Sequence, residues 1–312
     1  MGKIRWPAVW LLLLAILVIP VVLSQLLPQD QRSFSGVWLD DLEFREIAFR
    51  NQTQNLDLKG LLFIPSGDGP FPAAVIIHGS GTSVRNNAWY LTLVEHLQRE
   101  GITVLLPDKR GSESSAGDWR TSSYEDLATD TLAAVEFLRS QGAVPISSIG
   151  VIGMSEGGRI APIVATQSDE LAFVVNMVGG AVPAHDALLY EEVHNIRQMG
   201  VLPGFAHLFA YAGRWSLIEI RRTQFWDSVG NFDPIQHWDG VTIPALVLYG
   251  VDDTNVPTNE SVNRLEALGN PHIEVVVFEG SGHALETPVG KGISIIRVEV
   301  LNRISALVKE ST

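Results

Sequence analysis

Ile149-Gly150-Val151-Ile152-Gly153-Met154-Ser155-Glu156-Gly157-Gly158 begins as an apolar run, reaches a serine flanked by glycines, and leads from Glu156 into a helical pattern. A G-x-S-x-G placed between a strand and a helix predicts a sharp turn that lifts a serine hydroxyl to the head of the helix. Glycine two positions to either side leaves room for the strained backbone of such a turn, and Gly158 extends the space behind it. Ser155 is therefore the candidate nucleophile.

The runs around this stretch are apolar without alternation: Ala73 to Ile77, Ile102 to Leu106, Phe173 to Val178, Ala245 to Tyr249 and Ile273 to Phe278. Strands of that kind are covered on both faces, as in a parallel sheet between helices. Helical patterns separate them, over Trp89 to Arg99, Tyr124 to Arg139, Glu156 to Ala165, Asn259 to Leu268 and Ile293 to Lys309. In the second of these, Leu127, Leu132, Val135 and Leu138 share a face, while Glu125, Asp126 and Asp130 favour the positive end of the helix dipole. Upstream, Glu43 to Arg50 and Leu56 to Ile64 flank the polar turn Asn51 to Asn55 and predict an antiparallel hairpin at a sheet edge. The alternation predicts an α/β fold with a mostly parallel, doubly wound sheet.

One stretch departs from the rhythm. Residues 184–239 contain no clear strand but carry Tyr190, Phe205, Phe209, Tyr211, Trp215, Phe225 and Trp226. They predict a helical cap inserted over the carboxyl ends of the strands, where ligands bind in open α/β sheets. The predicted organisation is then a core of 29–183 and 240–312, a cap of 184–239, and a separate N-terminal segment of 1–28.

Two more strand ends complete a catalytic set. The run Ala245 to Tyr249 leads into Gly250-Val251-Asp252-Asp253-Thr254-Asn255-Val256-Pro257, where either adjacent aspartate could accept a hydrogen bond from a histidine Nδ1. His283, in Glu279-Gly280-Ser281-Gly282-His283-Ala284, lies just beyond the last strand, in a loop whose glycines suit a base that reaches across to the serine. The order serine, aspartate, histidine is that of the α/β-hydrolase arrangement and differs from the two other well-known serine triads. An oxyanion hole is expected from the backbone N–H of Glu156, at a helix N-terminus, and that of Ser80 in His78-Gly79-Ser80-Gly81, with Gly81 as the rival donor. His78 reads as a residue that holds this loop. His185, His194, His207 and His237 read as surface or packing residues of the cap, and His96 as solvated. Glu156 and Arg159 are spaced to pair along the helix surface, the alternative being that they face the pocket.

The chain resembles the serine α/β-hydrolases, and more narrowly the bacterial extracytoplasmic carboxylesterases among them. The likeness rests on His78-Gly79-Ser80-Gly81, Pro107-Asp108-Lys109-Arg110-Gly111, Gly117-Asp118-Trp119-Arg120, and Met154-Ser155-Glu156-Gly157-Gly158 with Ile160-Ala161-Pro162, and covers roughly residues 43 to 310. In that superfamily Gly-x-x-Asp-x-x-Val-Pro carries the acid at its fourth position, which implies Asp253 rather than Asp252. Ser112-Glu113-Ser114-Ser115 stands where the superfamily carries more glycine, and Met154 where a histidine is frequent. The resemblance implies cleavage of small-molecule carboxylic esters, short to medium acyl chains favoured, through an acyl-enzyme. Thioesters and amides use the same triad, and a catalytically silent, membrane-tethered binding module is the alternative from a different class.

Composition narrows the classes further. The 312 residues hold 22 basic and 35 acidic side chains, for a net charge of −13, which argues against a nucleic-acid partner. The absence of cysteine excludes thiolate nucleophiles and thiolate metal sites. No HExxH, phosphate loop or dinucleotide fingerprint occurs, and the expected reaction calls for no metal or organic cofactor. Lys3 and Arg5 precede an apolar run from Trp6 to Leu27, about the length a helix needs to cross a bilayer. It predicts an N-terminal transmembrane anchor with the catalytic domain outside the cytoplasm, or a signal segment cleaved near Val22-Leu23-Ser24 to leave a secreted or periplasmic enzyme. The residues carry no signal of oligomeric state.

Overall fold

The computed structural model describes residues 33–34, 36–140, 142, 144–216, 223–290 and 293–312. After β1 (Ser33–Phe34), the chain lays down β2 (Arg45–Asn51), β3 (Leu56–Phe63), β4 (Phe71–Ile77), β5 (Thr103–Pro107), β6 (Ile146–Met154), β7 (Val174–Met177), β8 (Ala245–Gly250) and β9 (Ile273–Phe278). These last eight form one sheet in the order β2-β3-β5-β4-β6-β7-β8-β9. The hairpin β2–β3 is antiparallel and β3 meets β5 antiparallel, while every other pairing is parallel.

The continuous apolar runs have a simple cause. Successive strand residues point to opposite faces, and both faces are covered. Ala73, Val75, Ile77 and Val151 enter one core with Leu127, Val135 and Leu138 of α2 (Tyr124–Ser140) and Ile160 and Val164 of α3 (Gly157–Gln167). Ala74, Ile76, Ile152 and Met154 enter the other, with Leu91, Val94 and Leu97 of α1 (Ala88–Arg99) and Val300, Ile304 and Val308 of the C-terminal helix. Between β7 and β8, the described residues of 184–239 form α4 (Ala184–Gln198), α5 (Pro203–Trp215), α6 (Gln224–Val229) and α7 (Ile235–Asp239); α8 (Thr258–Ala267) follows β8.

One predicted element is different. The helix expected over Ile293 to Lys309 is instead strand β11 (Ile293–Ile296) followed by α9 (Val298–Glu310). β11 pairs antiparallel with β10 (Glu286–Gly290) and parallel with β1, making a second sheet of three strands. Three β-branched isoleucines favour the strand. The extended backbone of Arg297 (φ −57°, ψ 135°) separates it from the helix. The N-terminal segment predicted to cross or be cleaved at a membrane lies outside the described residues. Among the described residues no helix is long and apolar enough to span a membrane.

Candidate active site

The site begins at the turn between β6 and α3. Ser155 has φ +54°, a left-handed conformation that side-chain-bearing residues rarely adopt. It is locked there by its N–H donating to Met177 O at 2.8 Å and its carbonyl accepting from Gly158 N–H at 2.9 Å. The flanking glycines are dictated by close approach rather than by φ. A Cβ on Gly153 would stand 2.2 Å from Gly157 O, one on Gly157 2.1 Å from Ile77 O, and one on Gly158 2.0 Å from Asn176 Oδ1.

Asp253 sits in the loop after β8 and is 2% exposed. Its Oδ1 accepts the N–H groups of Asn255 at 2.8 Å and Val256 at 3.0 Å, and its Oδ2 stands 2.8 Å from Nδ1 of His283. The neighbouring Asp252 points to solvent instead. His283, in the loop after β9, places Nε2 2.9 Å from Ser155 Oγ. Burial disfavours the imidazolium, but the charge and hydrogen bond of Asp253, with Glu191 and Glu286 farther out, outweigh it and raise the histidine above its ordinary 6.5. Such a row can move the serine proton to Nε2 while Oδ2 stabilises the cation that forms.

The loop after β4 lies against this serine: a Cβ on Gly79 would be 3.2 Å from Ser155 Cβ. Gly79 N–H donates to Tyr90 Oη at 2.7 Å, and Gly79 O accepts from Lys109 Nζ at 2.9 Å. Among the described residues, the N–H groups of Ser80 and Glu156 donate to no other group of the protein. His78 is buried, with Nε2 2.8 Å from Pro107 O and its ring against Tyr90. Desolvation, helped by the Lys109 charge, lowers it to about 4, so its neutral ring donates to Pro107 O and pins the loop.

The loop after β5 contributes what the sequence did not announce. Glu156 does not pair with Arg159: its carboxylate meets Lys109 Nζ at 2.5 Å in a buried pair, while Arg159 turns inward and donates to Val182 O at 2.8 Å. Lys109 stood in view only as part of Pro107 to Gly111. Its neighbours are braces, with Arg85 forking onto Asp108 and Arg110 donating to Asp130, Ser122 Oγ and Asp126 O. The serines found in place of glycine help to tie this loop down: Ser112 Oγ accepts Ser83 N–H, and Ser115 Oγ bridges Lys59 N–H and Asp108 O. From α4, Tyr190 Oη donates to Asp253 O at 2.9 Å and Glu191 Oε1 accepts from Asn255 Nδ2 at 3.0 Å. These two contacts bring the helical insertion over the acid loop.

Comparison with known proteins follows the same lines. The model of a family described as BAAT / acyl-CoA thioester hydrolase C terminal matches residues 132–303, more than half of the chain and the part holding Ser155, Asp253 and His283. The chain belongs to that family. It is thereby a member of the serine α/β-hydrolase superfamily, and a second model, of the X-Pro dipeptidyl-peptidase S15 family, matches residues 55–204. Among curated relatives, the esterase EstD of Thermotoga maritima is 24% identical over 252 residues, covering 76% of this chain and 60% of the relative. The peroxisomal succinyl-coenzyme A thioesterase of Mus musculus is 24% identical over 246 residues, covering 74% of this chain and 53% of the relative. The chain thus spans little more than half the length of these two relatives. An esterase of Pyrococcus furiosus superposes with a TM-score of 0.63 at 20% identity, over 86% of this chain and 91% of that one. That likeness is one of fold: the sheet and helices described above are those of an α/β-hydrolase.

Proposed function

We propose that the protein is a serine hydrolase that cleaves small-molecule carboxylic esters, with short to medium acyl chains favoured, through a Ser155–His283–Asp253 triad. The observation that carries the reading is the continuous row from Asp253 Oδ2 through His283, 2.8 Å to Nδ1 and 2.9 Å from Nε2 to Ser155 Oγ. Ser155 Oγ gives its proton to His283 Nε2 as it attacks the ester carbonyl carbon. The oxygen that becomes negative is held by the N–H groups of Ser80 and Glu156, the latter at the amino end of α3 where the dipole adds positive potential. The imidazolium then protonates the departing alkoxide, leaving the acyl group on Ser155. Water, deprotonated by the same Nε2, attacks the acyl-enzyme and frees the acid.

A second reading, thioester cleavage, is favoured by the family match and by the mouse thioesterase among the relatives. The chemistry of the row is the same, with a thiolate as the leaving group. The apolar run from Trp6 to Leu27 behind Lys3 and Arg5 supports a membrane-anchored enzyme whose catalytic domain stands outside the cytoplasm.

The test is turnover of p-nitrophenyl esters from acetyl to palmitoyl, and of acyl-CoA thioesters of matched chain length, by the full chain and by Ser155→Ala. Turnover of short esters that vanishes with the serine is the expected result. Preference for the thioesters moves the assignment to the second reading, and activity that survives Ser155→Ala refutes both.

A further inference from the structure

The two N–H groups assigned to the oxyanion hole are positioned by different means. The amide of Glu156 belongs to the Ser155–Glu156 peptide, whose carbonyl accepts Gly158 N–H at 2.9 Å, so the first turn of α3 aims it. The amide of Ser80 belongs to the Gly79–Ser80 peptide, which lies in a loop and has no helix to hold it. The only group donating to its carbonyl among the described residues is Lys109 Nζ, at 2.9 Å. In a trans peptide the C=O and N–H point in opposite directions. A donor fixed on Gly79 O therefore sets where Ser80 N–H points.

We propose that Lys109 is the positioning residue of the oxyanion hole, its buried ammonium orienting the Gly79–Ser80 peptide and registering that loop against the nucleophile turn through Glu156. The inference rests on the hydrolase reading above, which supplies the hole. Three features support it. The Lys109 and Glu156 side chains are 5% and 4% exposed, so the pair is shielded from the solvent screening that weakens surface bridges. The ammonium bridges the two halves of the site, since one bond goes to the loop carrying Ser80 and the other to the residue after the nucleophile. On the far side of the same residue Tyr90 Oη accepts Gly79 N–H at 2.7 Å, so both polar groups of Gly79 are held, while the next N–H donates to no group among the described residues. A positive charge on a carbonyl oxygen also polarises its peptide and strengthens the attached N–H as a donor.

The experiment uses the full chain in detergent and begins with the wild type and Ser155→Ala; absence of serine-dependent turnover there refutes the hydrolase reading itself, before Lys109 is touched. With that turnover in hand, Lys109→Met/Glu156→Gln removes the ammonium without stranding a buried carboxylate. Full removal of one oxyanion donor typically lowers kcat by about 100- to 1,000-fold, so a donor left in place but misaimed should cost about 10- to 100-fold. KM should stay within about threefold, since a ground-state carbonyl gains little from the hole. The affinity for a trifluoromethyl ketone, whose adduct with the serine bears an oxyanion, should fall by the same factor as kcat. Lys109→Gln, which keeps an N–H donor and disturbs packing less, should show the same pattern at smaller size and carries the test should the double variant not fold. The inference is overturned by a folded variant that keeps kcat, or by one whose kcat falls while its affinity for the ketone does not.

Discussion

Replacing Asp253 by asparagine tests the row with little change of shape. The Asp253 Oδ1 accepts two backbone N–H groups, of Asn255 at 2.8 Å and Val256 at 3.0 Å. An asparagine must keep its oxygen there, because turning the amide would set its NH₂ against two donors. The NH₂ then faces His283 Nδ1 across the 2.8 Å now bridged to Oδ2. Only one tautomer satisfies that contact: Nδ1 accepts and the ring proton moves to Nε2, where it points at Ser155 Oγ, 2.9 Å away. The base has lost its lone pair, and forming the imidazolium would force two donors together. A wrong tautomer of this kind is worth about 10,000-fold in kcat, or about 5.5 kcal/mol of transition-state stabilisation. The assay is p-nitrophenyl acetate hydrolysis across pH. In the wild type the acid limb of kcat/KM reports His283 and should lie above 6.5; without the carboxylate charge it should move to lower pH. Both Oδ1 contacts survive, so Tm should stay within a few degrees. A loss of less than tenfold, or an acid limb that does not move, refutes the tautomer argument.

Three further outcomes follow from the same geometry. Because His78 is held near 4 against 6.5 in the unfolded chain, its contribution is present above pH 6.5 and is lost as pH falls towards 4, by up to about 3 kcal/mol; in urea unfolding the stability of the wild type relative to His78→Gln should fall by that amount as pH goes from 6.5 to 4. Gly157→Ala puts a Cβ 2.1 Å from Ile77 O and 2.7 Å from Ile77 C, both backbone atoms that cannot swing aside, and should lower stability by about 3 kcal/mol and Tm by roughly 5 °C or more. Arg110→Met takes the cation from the Asp130 carboxylate, leaving it only Asn51 Nδ2 at 2.6 Å among the described residues, in a network whose arginine is 4% exposed, and should cost about 3 kcal/mol in urea unfolding, with Arg110→Lys a poor rescue because one ammonium cannot make the fork onto both Asp130 oxygens.

Most of the sheet was legible because its strands are buried on both faces, and such runs stand out of any sequence that also turns at glycine and proline. The strand at Ile293 to Ile296 was not. Its isoleucines continue the spacing of Val300, Leu301, Ile304 and Val308, so one periodicity runs through both elements; pairing with β10 and β1, which a local pattern does not contain, decides in favour of the strand that the β-branched residues also suit. His96, expected in solvent, is half-buried with Nε2 3.2 Å from Ser305 Oγ, a contact between α1 and α9, 209 residues apart in the chain. At the site, the residues that follow strand ends could be named from the chain. Spacing left Asp252 and Asp253 level, and the contact with His283 separates them. Lys109, Tyr90 and Tyr190 had no such flag, since each acts through a partner that only the folded sheet brings near.

The strand order explains why the Lys109 contact escapes a linear reading. In sequence β4, β5 and β6 follow one another, but in the sheet β4 lies between the other two, with Val75 opposite both Leu105 and Val151. The loops that leave these strands therefore stand side by side in the order Lys109, Gly79, Ser155. That inversion places the Gly79–Ser80 loop between Lys109 and Ser155, supported from each flank by a loop that the chain order puts after it. The Ser155 turn is held by backbone atoms and by closely approached glycines, whereas the Gly79–Ser80 loop is held by the side chains of Tyr90, His78 and Lys109. Side-chain supports can change between related sequences without altering the fold; glycine contacts at 2.1–2.2 Å cannot. Differences in activity among proteins that share this turn should accordingly lie in the supports of the Gly79–Ser80 loop and in the helical insertion that reaches Asp253 and Asn255, rather than at Ser155 itself.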